Sequence, residues 1–163
     1  MTIEVIPVTG KDLITGPFMS RWQCERTRPG EKADIRACVA LAKKHQVKIH
    51  ALQIGRRDYG FVSVNIHQLP DENPNKFYLS VDLLFVSKQF RGKPIDALEG
   101  MTASAYLMSI VFEKALEAAK FFPFDTIVLF PADPKLIPFY ASIGTKGTKG
   151  DAHTIMRFYR NQV

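Results

Sequence analysis

The stretch KFYLSVDLLFVS, residues 76–87, constrains the fold more than any other part of the chain. It is rich in aromatic and branched aliphatic residues and almost continuous, without the strict alternation of a strand that faces water on one side. Such a strand has to be covered on both faces. We therefore predict a central strand in a sheet that carries helices on both sides.

The remaining segments predict a mixed α/β fold. Apolar residues recur at helical spacing in 33–46 and 102–122, and 133–144 reads as a short helix. Two strand-like runs around the charged turn GRRD predict an antiparallel hairpin. The predicted strands are 2–8, 48–54, 59–69, 76–87, 125–131 and 152–160, with a glycine-rich turn at 145–151. We expect a mixed, mostly antiparallel central sheet of about six to seven strands.

Length and charge limit the organisation and the partners. The chain has 163 residues, of which 46% are hydrophobic, and this predicts a single domain over 1–163 with one substantial core. The net charge of +6 favours an acidic partner, such as a nucleotide cofactor, a nucleic acid or an anionic surface. A homodimer is left as an open alternative for the assembly.

Cysteine usage and the first residues predict a reduced, cytoplasmic protein. Cys24 and Cys38 lack C-x-x-C spacing, and MTIEVIPVTG has neither a basic nor an apolar leader segment. No apolar run approaches the roughly 20 residues that span a bilayer, so no membrane partner is expected. The four histidines are scattered without ligand spacing, so no metal site is expected.

The segment VSKQFRGKP, residues 86–94, follows the central strand directly. A basic, glycine-containing turn between a strand and a helix is a place where backbone N–H groups hold an anion, most often a phosphate. The amides from Arg91 to Lys93, with the two basic side chains, are the candidate donors. A solvated basic turn without a ligand is the alternative.

At this point two segments resemble the GCN5-related N-acetyltransferase (GNAT) superfamily. VDLLFVSKQFRGK is similar to the motif in which an apolar strand runs into Gln/Arg-x-x-Gly-x-Gly/Ala, and PADPKLIPFYASIG is similar to a short helix with a Phe-Tyr pair before a turn glycine. The matching residues are Gln89, Arg91, Gly92, Lys93, Phe139, Tyr140 and Gly144.

The resemblance implies an enzyme that transfers an acetyl group from acetyl-CoA directly to an amine. It assigns the pyrophosphate of the donor to Gln89, Arg91, Gly92 and Lys93, and it places the backbone of Leu84, Phe85 and Val86 along the pantetheine arm. Tyr140 would protonate the departing thiolate. A phenol has a pKa of about 10 in peptides, so it still carries its proton at neutral pH.

Asp82 is the one acid within the apolar central strand. Burying a carboxylate costs several kcal/mol unless the group is paired or has a function. The resemblance implies that Asp82 binds or deprotonates the amine, directly or through water. An ion pair with Arg or Lys on a neighbouring strand is the alternative, because structural pairs also perturb carboxyl groups.

Pro94 departs from the family pattern, which has Gly or Ala there. Proline offers no backbone N–H, so one donor to the phosphate is missing. Proline is favourable in the first turn of a helix, so KPIDALEG is expected to form a short helical turn. The segment PIDALEGM also lengthens the connection to the long helix. These departures support a second hypothesis, a GNAT-fold binding or adaptor module that keeps CoA as a ligand or binds a macromolecular partner.

Direct nucleic-acid binding is a third hypothesis, and it ranks last because the basic residues lack an interleaved aromatic platform. The acceptor is open among a small-molecule amine, a protein amine and an aminoacyl-tRNA. The resemblance implies that the acceptor pocket is built from Phe18, Met19, Trp22 and the segment GRRDYG.

Overall fold

The computed structural model describes residues 2–8, 31–44, 48–68, 77–121, 124–129, 134–143, 146–149 and 154–159. The predictions for Cys24, Gly144, the PDENPN loop and the acceptor residues Phe18, Met19 and Trp22 lie outside these ranges.

The described helices and strands follow the predicted order closely. The helices are α1 (Glu31–Lys43), α2 (Ala103–Ala118) and α3 (Ile137–Ser142). The strands are β1 (Ile3–Val8), β2 (Lys48–Ile54), β3 (Arg57–Gln68), β4 (Phe77–Val86), β5 (Phe124–Leu129), β6 (Lys146–Lys149) and β7 (Thr154–Tyr159).

Within the described residues these seven strands form one sheet in the order β1-β2-β3-β4-β5-β7-β6. The pairing of β4 with β5 is parallel, whereas β1 with β2, β2 with β3, β5 with β7 and β6 with β7 are antiparallel. The prediction of a mixed, mostly antiparallel sheet with helices is confirmed.

The chain divides into two compact units. The first contains Met1–Val64 and Leu83–Ser109, and the second contains Asn65–Asp82 and Ile110–Val163. Whether the whole chain behaves as the single domain expected from its length stays a prediction.

The core of the first unit lies between α1 and the strands. Ile35, Cys38, Val39 and Ala42 repeat at helical spacing on α1 and pack with buried residues of β2, β3 and β4. The rings of Phe61 and Phe85 stack at 5.5 Å within this cluster. Burying an apolar side chain of this size contributes about 1.5 to 3 kcal/mol, so this cluster fixes the end of β4 firmly.

The turn of the β2 and β3 hairpin is shorter than the predicted GRRD. Only Gly55 and Arg56 form it, with φ angles of 56° and 66°, as a two-residue hairpin turn requires. Asp58, expected in the turn, lies in β3, where it is buried and accepts a hydrogen bond from Gln53 Nε2 at 2.6 Å. That bond compensates the desolvation of its carboxylate.

The predicted glycine-rich turn at 145–151 is wrong in its central part, because Lys146–Lys149 form β6 and pair with β7. β6 is last in the strand order. Glycine and lysine are tolerated on an edge strand, and main-chain hydrogen bonding to the neighbour outweighs their low strand preference.

Candidate functional site

Within the described residues, β4 is longer than its pairing with β5. The parallel register ends where Val81 faces Leu129, whereas β4 continues to Val86. Within the described residues, pairing with β5 therefore does not use the main-chain groups of Leu84, Phe85 and Val86, the three residues assigned to the pantetheine arm. Their side chains have a separate structural role, since Phe85 is fully buried in the core of the first unit.

The loop that follows β4 is a compact turn. Residues Lys88–Phe90 form a single 3-10 turn, and Phe90 N–H donates to the Ser87 carbonyl at 2.9 Å. Gly92 has a φ of 65°, in the left-handed region that favours glycine. A Cβ at Gly92 would meet nothing within 4 Å, so the backbone conformation, and not a lack of space, favours glycine there.

Two of the three predicted anion-binding amides are already engaged. Arg91 N–H donates to the Lys88 carbonyl and Lys93 N–H donates to the Phe90 carbonyl, each at 3.3 Å. Among the described residues the Gly92 N–H has no hydrogen-bond partner. Of the three predicted amides, Gly92 is therefore the one available to an anion in this conformation.

The two basic side chains of the loop differ in their surroundings. Arg91 Nε donates to the Val86 carbonyl at 2.6 Å, and its guanidinium lies 5.3 Å from the ring centroid of Phe85. Arg91 is thus folded back onto the end of β4. Lys93 and Gln89 are exposed, so they are better placed to meet a ligand from solution.

An aromatic stack holds the loop against β3. The rings of Tyr59 and Phe90 lie 3.9 Å apart, and the guanidinium of Arg57 lies 5.2 Å from the Phe90 centroid. Arg57 Nη2 also donates to Gln89 Oε1 at 3.5 Å. Ring stacking and a cation over a ring each contribute about 0.5 to 1.5 kcal/mol, so the loop is restrained from the β3 side.

The helical turn predicted for KPIDALEG is present, but it does not begin at Pro94. Pro94 makes an isolated antiparallel bridge to Thr102, and the 3-10 turn comes later, at Asp96–Leu98. Ile95 N–H donates to the Met101 carbonyl at 3.0 Å, and Leu98 is buried. The helix instead begins after Thr102, whose Oγ1 accepts the Ala105 N–H at 3.2 Å as an N-cap.

Asp82 is not the fully buried acid that the sequence suggested, because the residue as a whole is exposed and only its carboxyl group is partly enclosed. Ser80 Oγ donates to Asp82 Oδ1 at 2.7 Å, and His67 Nε2 lies 2.8 Å from Ser80 Oγ. Among the described residues Asp82 makes no ion pair with Arg or Lys. Its contacts are a hydroxyl and, beyond it, an imidazole.

The environment of Asp82 raises the pKa of its carboxyl above the ordinary value of 3.8. Partial burial of the carboxyl group is the main cause, and the hydrogen bond from Ser80 and the charge of His67 oppose it. The folded protein therefore holds a proton on Asp82 more readily than a free aspartate would.

Tyr140 lies on α3, beside Phe139, whose ring meets that of Tyr140 edge to face at 5.1 Å and 60°. Its side chain is 6% exposed. The predicted Phe-Tyr pair on a short helix is therefore present.

Sequence reasoning missed His67 and Ser80. It treated His67 as one of several scattered histidines and did not consider Ser80. A usable signal was the spacing of Ser80 and Asp82, two polar residues at period two, which places both on one face of an otherwise apolar strand.

No family model matches the sequence, and none of the curated proteins is similar to it at a significant level. Solved structures do match. A mutant of the toxin AtaT, bound to the C-terminus of the antitoxin AtaR and to acetyl-CoA, has a TM-score of 0.73 at 11% identity, covering 99% of this chain and 95% of that chain. The PaiA N-acetyltransferase from Thermoplasma acidophilum, in complex with coenzyme A, has a TM-score of 0.59 at 15% identity, covering 98% and 99%.

The chain has the GNAT fold. A third GNAT structure, AtaT complexed with acetyl-methionyl-tRNAfMet, matches with a TM-score of 0.64 at 14% identity, covering 98% of this chain and 96% of that chain. In the part of the chain that the structure describes, no helix is long and apolar enough to cross a membrane.

Proposed function

We propose that this GNAT-fold protein is an acetyl-CoA-dependent N-acetyltransferase. The observation that carries the proposal is the end of β4: within the described residues it continues past its pairing with β5 and runs into a turn where Gly92 has an available amide. AtaT and PaiA, which share the fold, are seen with acetyl-CoA and coenzyme A respectively.

The loop residues take different roles in binding the donor. The Gly92 N–H and the exposed Lys93 and Gln89 side chains contact the pyrophosphate, because an anion is held best by amides and cations that have no stronger partner. Arg91 holds the loop on β4 and adds positive charge nearby. The backbone of Leu84, Phe85 and Val86 lies along the pantetheine arm.

In the reaction, the amine nitrogen attacks the thioester carbonyl carbon, a C–N bond forms and the C–S bond breaks. The amine proton goes to Asp82 or to a water that Asp82 orients, and the Tyr140 hydroxyl gives its proton to the thiolate. Backbone N–H groups polarise the carbonyl oxygen. Each role corresponds to the resemblance noted in the sequence.

An aminoacyl-tRNA is the acceptor to test first. The chain carries a net charge of +6, which favours an anionic acceptor. AtaT, of the same fold, is seen with acetyl-methionyl-tRNAfMet. A polyamine and a protein lysine are the other acceptor classes to compare.

The second candidate is a binding or adaptor module without chemistry. It is favoured by the commitment of the Arg91 and Lys93 amides to carbonyls of the loop and by the missing N–H of Pro94. The two candidates differ in whether acetyl groups are transferred, and the module has CoA or a macromolecular partner as its ligand.

The test has two measurements. Thermal unfolding is followed with increasing acetyl-CoA, since a ligand that binds only the native state raises Tm by mass action. Transfer of radiolabel from acetyl-CoA is then measured with methionyl-tRNA, spermidine and a lysine-containing peptide. A rise in Tm with label in one acceptor supports the enzyme. A rise in Tm without label supports a module that keeps CoA as a ligand. No rise at millimolar acetyl-CoA overturns the enzyme and supports a module that binds a macromolecular partner.

A further inference from the structure

Three side chains of the second unit form a continuous hydrogen-bonded chain on neighbouring strands. His67, from β3, lies 2.8 Å from Ser80 Oγ, measured from Nε2, and Ser80 Oγ lies 2.7 Å from Asp82 Oδ1. Ser80 is buried, His67 is partly exposed and Asp82 is exposed, so the chain leads from one accessible group through a buried hydroxyl to another.

The number of protons fixes the direction of these bonds. Ser80 has a single hydroxyl proton, and it donates that proton to Asp82. The bond between His67 and Ser80 must then be donated by the imidazole, which places the imidazole proton on Nε2. In neutral His67 the lone pair is therefore on Nδ1, and among the described residues no group bonds to Nδ1.

The imidazole ring is also held in place. Tyr78 stacks on His67 with ring centroids 4.9 Å apart and an angle of 16° between the planes. Ring stacking on one side and the bond to Ser80 at Nε2 restrict the rotation of the ring. Nδ1 is thus a fixed proton-accepting atom with a defined orientation.

We propose that His67 accepts the proton of the acceptor amine at Nδ1, and that Ser80 relays a proton from His67 to Asp82. This deepens the proposed function and rests on it. When Nδ1 gains a proton, Nε2 releases one to Ser80 Oγ while the Ser80 hydroxyl proton moves to Asp82 Oδ1. One proton enters and one carboxylate is neutralised, the Ser80 hydroxyl keeps one proton, and the imidazole stays neutral with its proton now on Nδ1.

The reverse direction does not begin from this arrangement, because Nε2 already carries a proton and has no lone pair for Ser80. Asp82 is therefore the final holder of the proton, and its exposure to solvent lets it release that proton to water between turnovers. The imidazole, which is partly exposed, returns to its Nε2–H form by exchanging protons with water. The partial burial that favours protonation of the Asp82 carboxyl, and raises its pKa, agrees with this role.

A purely structural chain would only tie β3 to β4, and two measurements separate that role from a relay. The first is made on the free protein with ¹⁵N-labelled histidine, whose NMR shifts report which imidazole nitrogen bears the proton. We expect the Nε2–H form for His67, and loss of that preference in Ser80→Ala. A predominant Nδ1–H form overturns the relay, whatever the activity.

The second is the pH profile of kcat/KM for acetyl transfer to methionyl-tRNA, spermidine or the lysine peptide, whichever takes up label. His67→Gln keeps a donor for Ser80 but has no basic nitrogen, so kcat/KM should fall by roughly 10²-fold or more with acetyl-CoA binding unchanged. Its profile should also lose the acid limb of the wild type. Ser80→Ala should lower kcat/KM, and Ser80→Thr, which restores the hydroxyl, should recover it.

Full turnover in His67→Gln, with the wild-type profile, would overturn the relay while leaving the acetyltransferase standing. A wild type that shows the Nε2–H form but transfers no acetyl group would refute the proposed function, and with it the use of this chain in acyl transfer. The two failures are thus distinguishable.

Discussion

The Nε–H of Arg91 donates to the carbonyl oxygen of Val86 at 2.6 Å, across the turn that ends β4. A residue that looks like a phosphate ligand in the sequence is therefore a clamp on the strand end in the structure. Lys93, two residues later, is exposed. We therefore propose that Arg91 has the structural role and Lys93 the binding role in this motif.

Substitution of these two residues should separate the roles. Arg91→Ala loses the bond to Val86 and the contact with the Phe85 ring, so the free energy of unfolding should fall by about 1 to 2 kcal/mol. Lys93→Ala should change stability by less than about 0.5 kcal/mol and weaken acetyl-CoA binding several-fold. Urea denaturation and a Tm titration with acetyl-CoA measure both effects. Equal stability of the two variants would contradict the assignment.

The left-handed conformation of Gly92 should matter for the donor. Gly92→Ala at a φ of 65° costs about 1 kcal/mol in stability and turns a loop amide that is available to an anion. Acetyl-CoA affinity should drop by roughly tenfold, about 1.4 kcal/mol. Isothermal titration calorimetry measures the affinity directly.

Gly100→Ala is a matched control, since Gly100 has a φ of 83° and equally open surroundings but lies outside the loop. It should lose similar stability and keep its affinity. If both variants lose affinity alike, the loss reflects general destabilisation, and Gly92 is not a specific ligand.

Replacement of Tyr140 by phenylalanine removes the proposed proton donor and keeps the ring. We expect kcat to fall by roughly 10²-fold with little change in acetyl-CoA affinity, because the hydroxyl acts on the leaving thiolate. Steady-state kinetics with calorimetry test this. Tyr106→Phe, on α2, is the control and should turn over at the wild-type rate; a Tyr140→Phe variant that does the same would exclude Tyr140 as the acid.

The raised pKa of Asp82 predicts how its replacement affects stability. The folded state binds a proton at Asp82 more tightly than the unfolded state, so wild-type stability decreases as pH rises from the ordinary value of 3.8 through the folded pKa. The amide of Asp82→Asn does not titrate, so this variant does not lose stability in this way as pH rises. Its Tm should therefore increase relative to that of the wild type over this window and then stay constant, by a small amount because the group is exposed.

Thermal scans between pH 3.5 and 7, at steps of about half a unit, follow this difference across the window in which the linkage acts. Asp34→Asn, an exposed position on α1, measures the general effect of removing one negative charge. A Tm difference for Asp82→Asn that falls with rising pH would show that the folded state favours the carboxylate.

The sequence predicted the elements whose periodicity reflects burial. The apolar run of β4 and the helical spacing of α1 and α2 reflect which faces of these elements are buried, so the sequence predicted all three. β6 was missed because Lys146–Lys149 form a strand through main-chain pairing with β7, which leaves little trace in residue types.

The site was predictable where it depends on local backbone chemistry and not where it depends on contacts between strands. The left-handed conformation of Gly92 follows from the residue itself. The fold of Arg91 onto Val86, the stack of Tyr59 on Phe90 and the bond between His67 and Ser80 each join residues that are brought together only when the chain folds. No pattern along the chain records these pairings.

Residues 95–101 form a closed loop, because Pro94 and Thr102 on either side of them pair in an antiparallel bridge. An excursion whose ends meet does not change the distance that the chain must cover between the loop and α2. The segment is thus an insertion that could be removed: a shorter connection between Lys93 and the N-cap residue Thr102 would join the same two points. The added length after Gly92 suggests from the sequence that the phosphate site is altered. The bridge shows that this length is compatible with a phosphate site of the usual geometry.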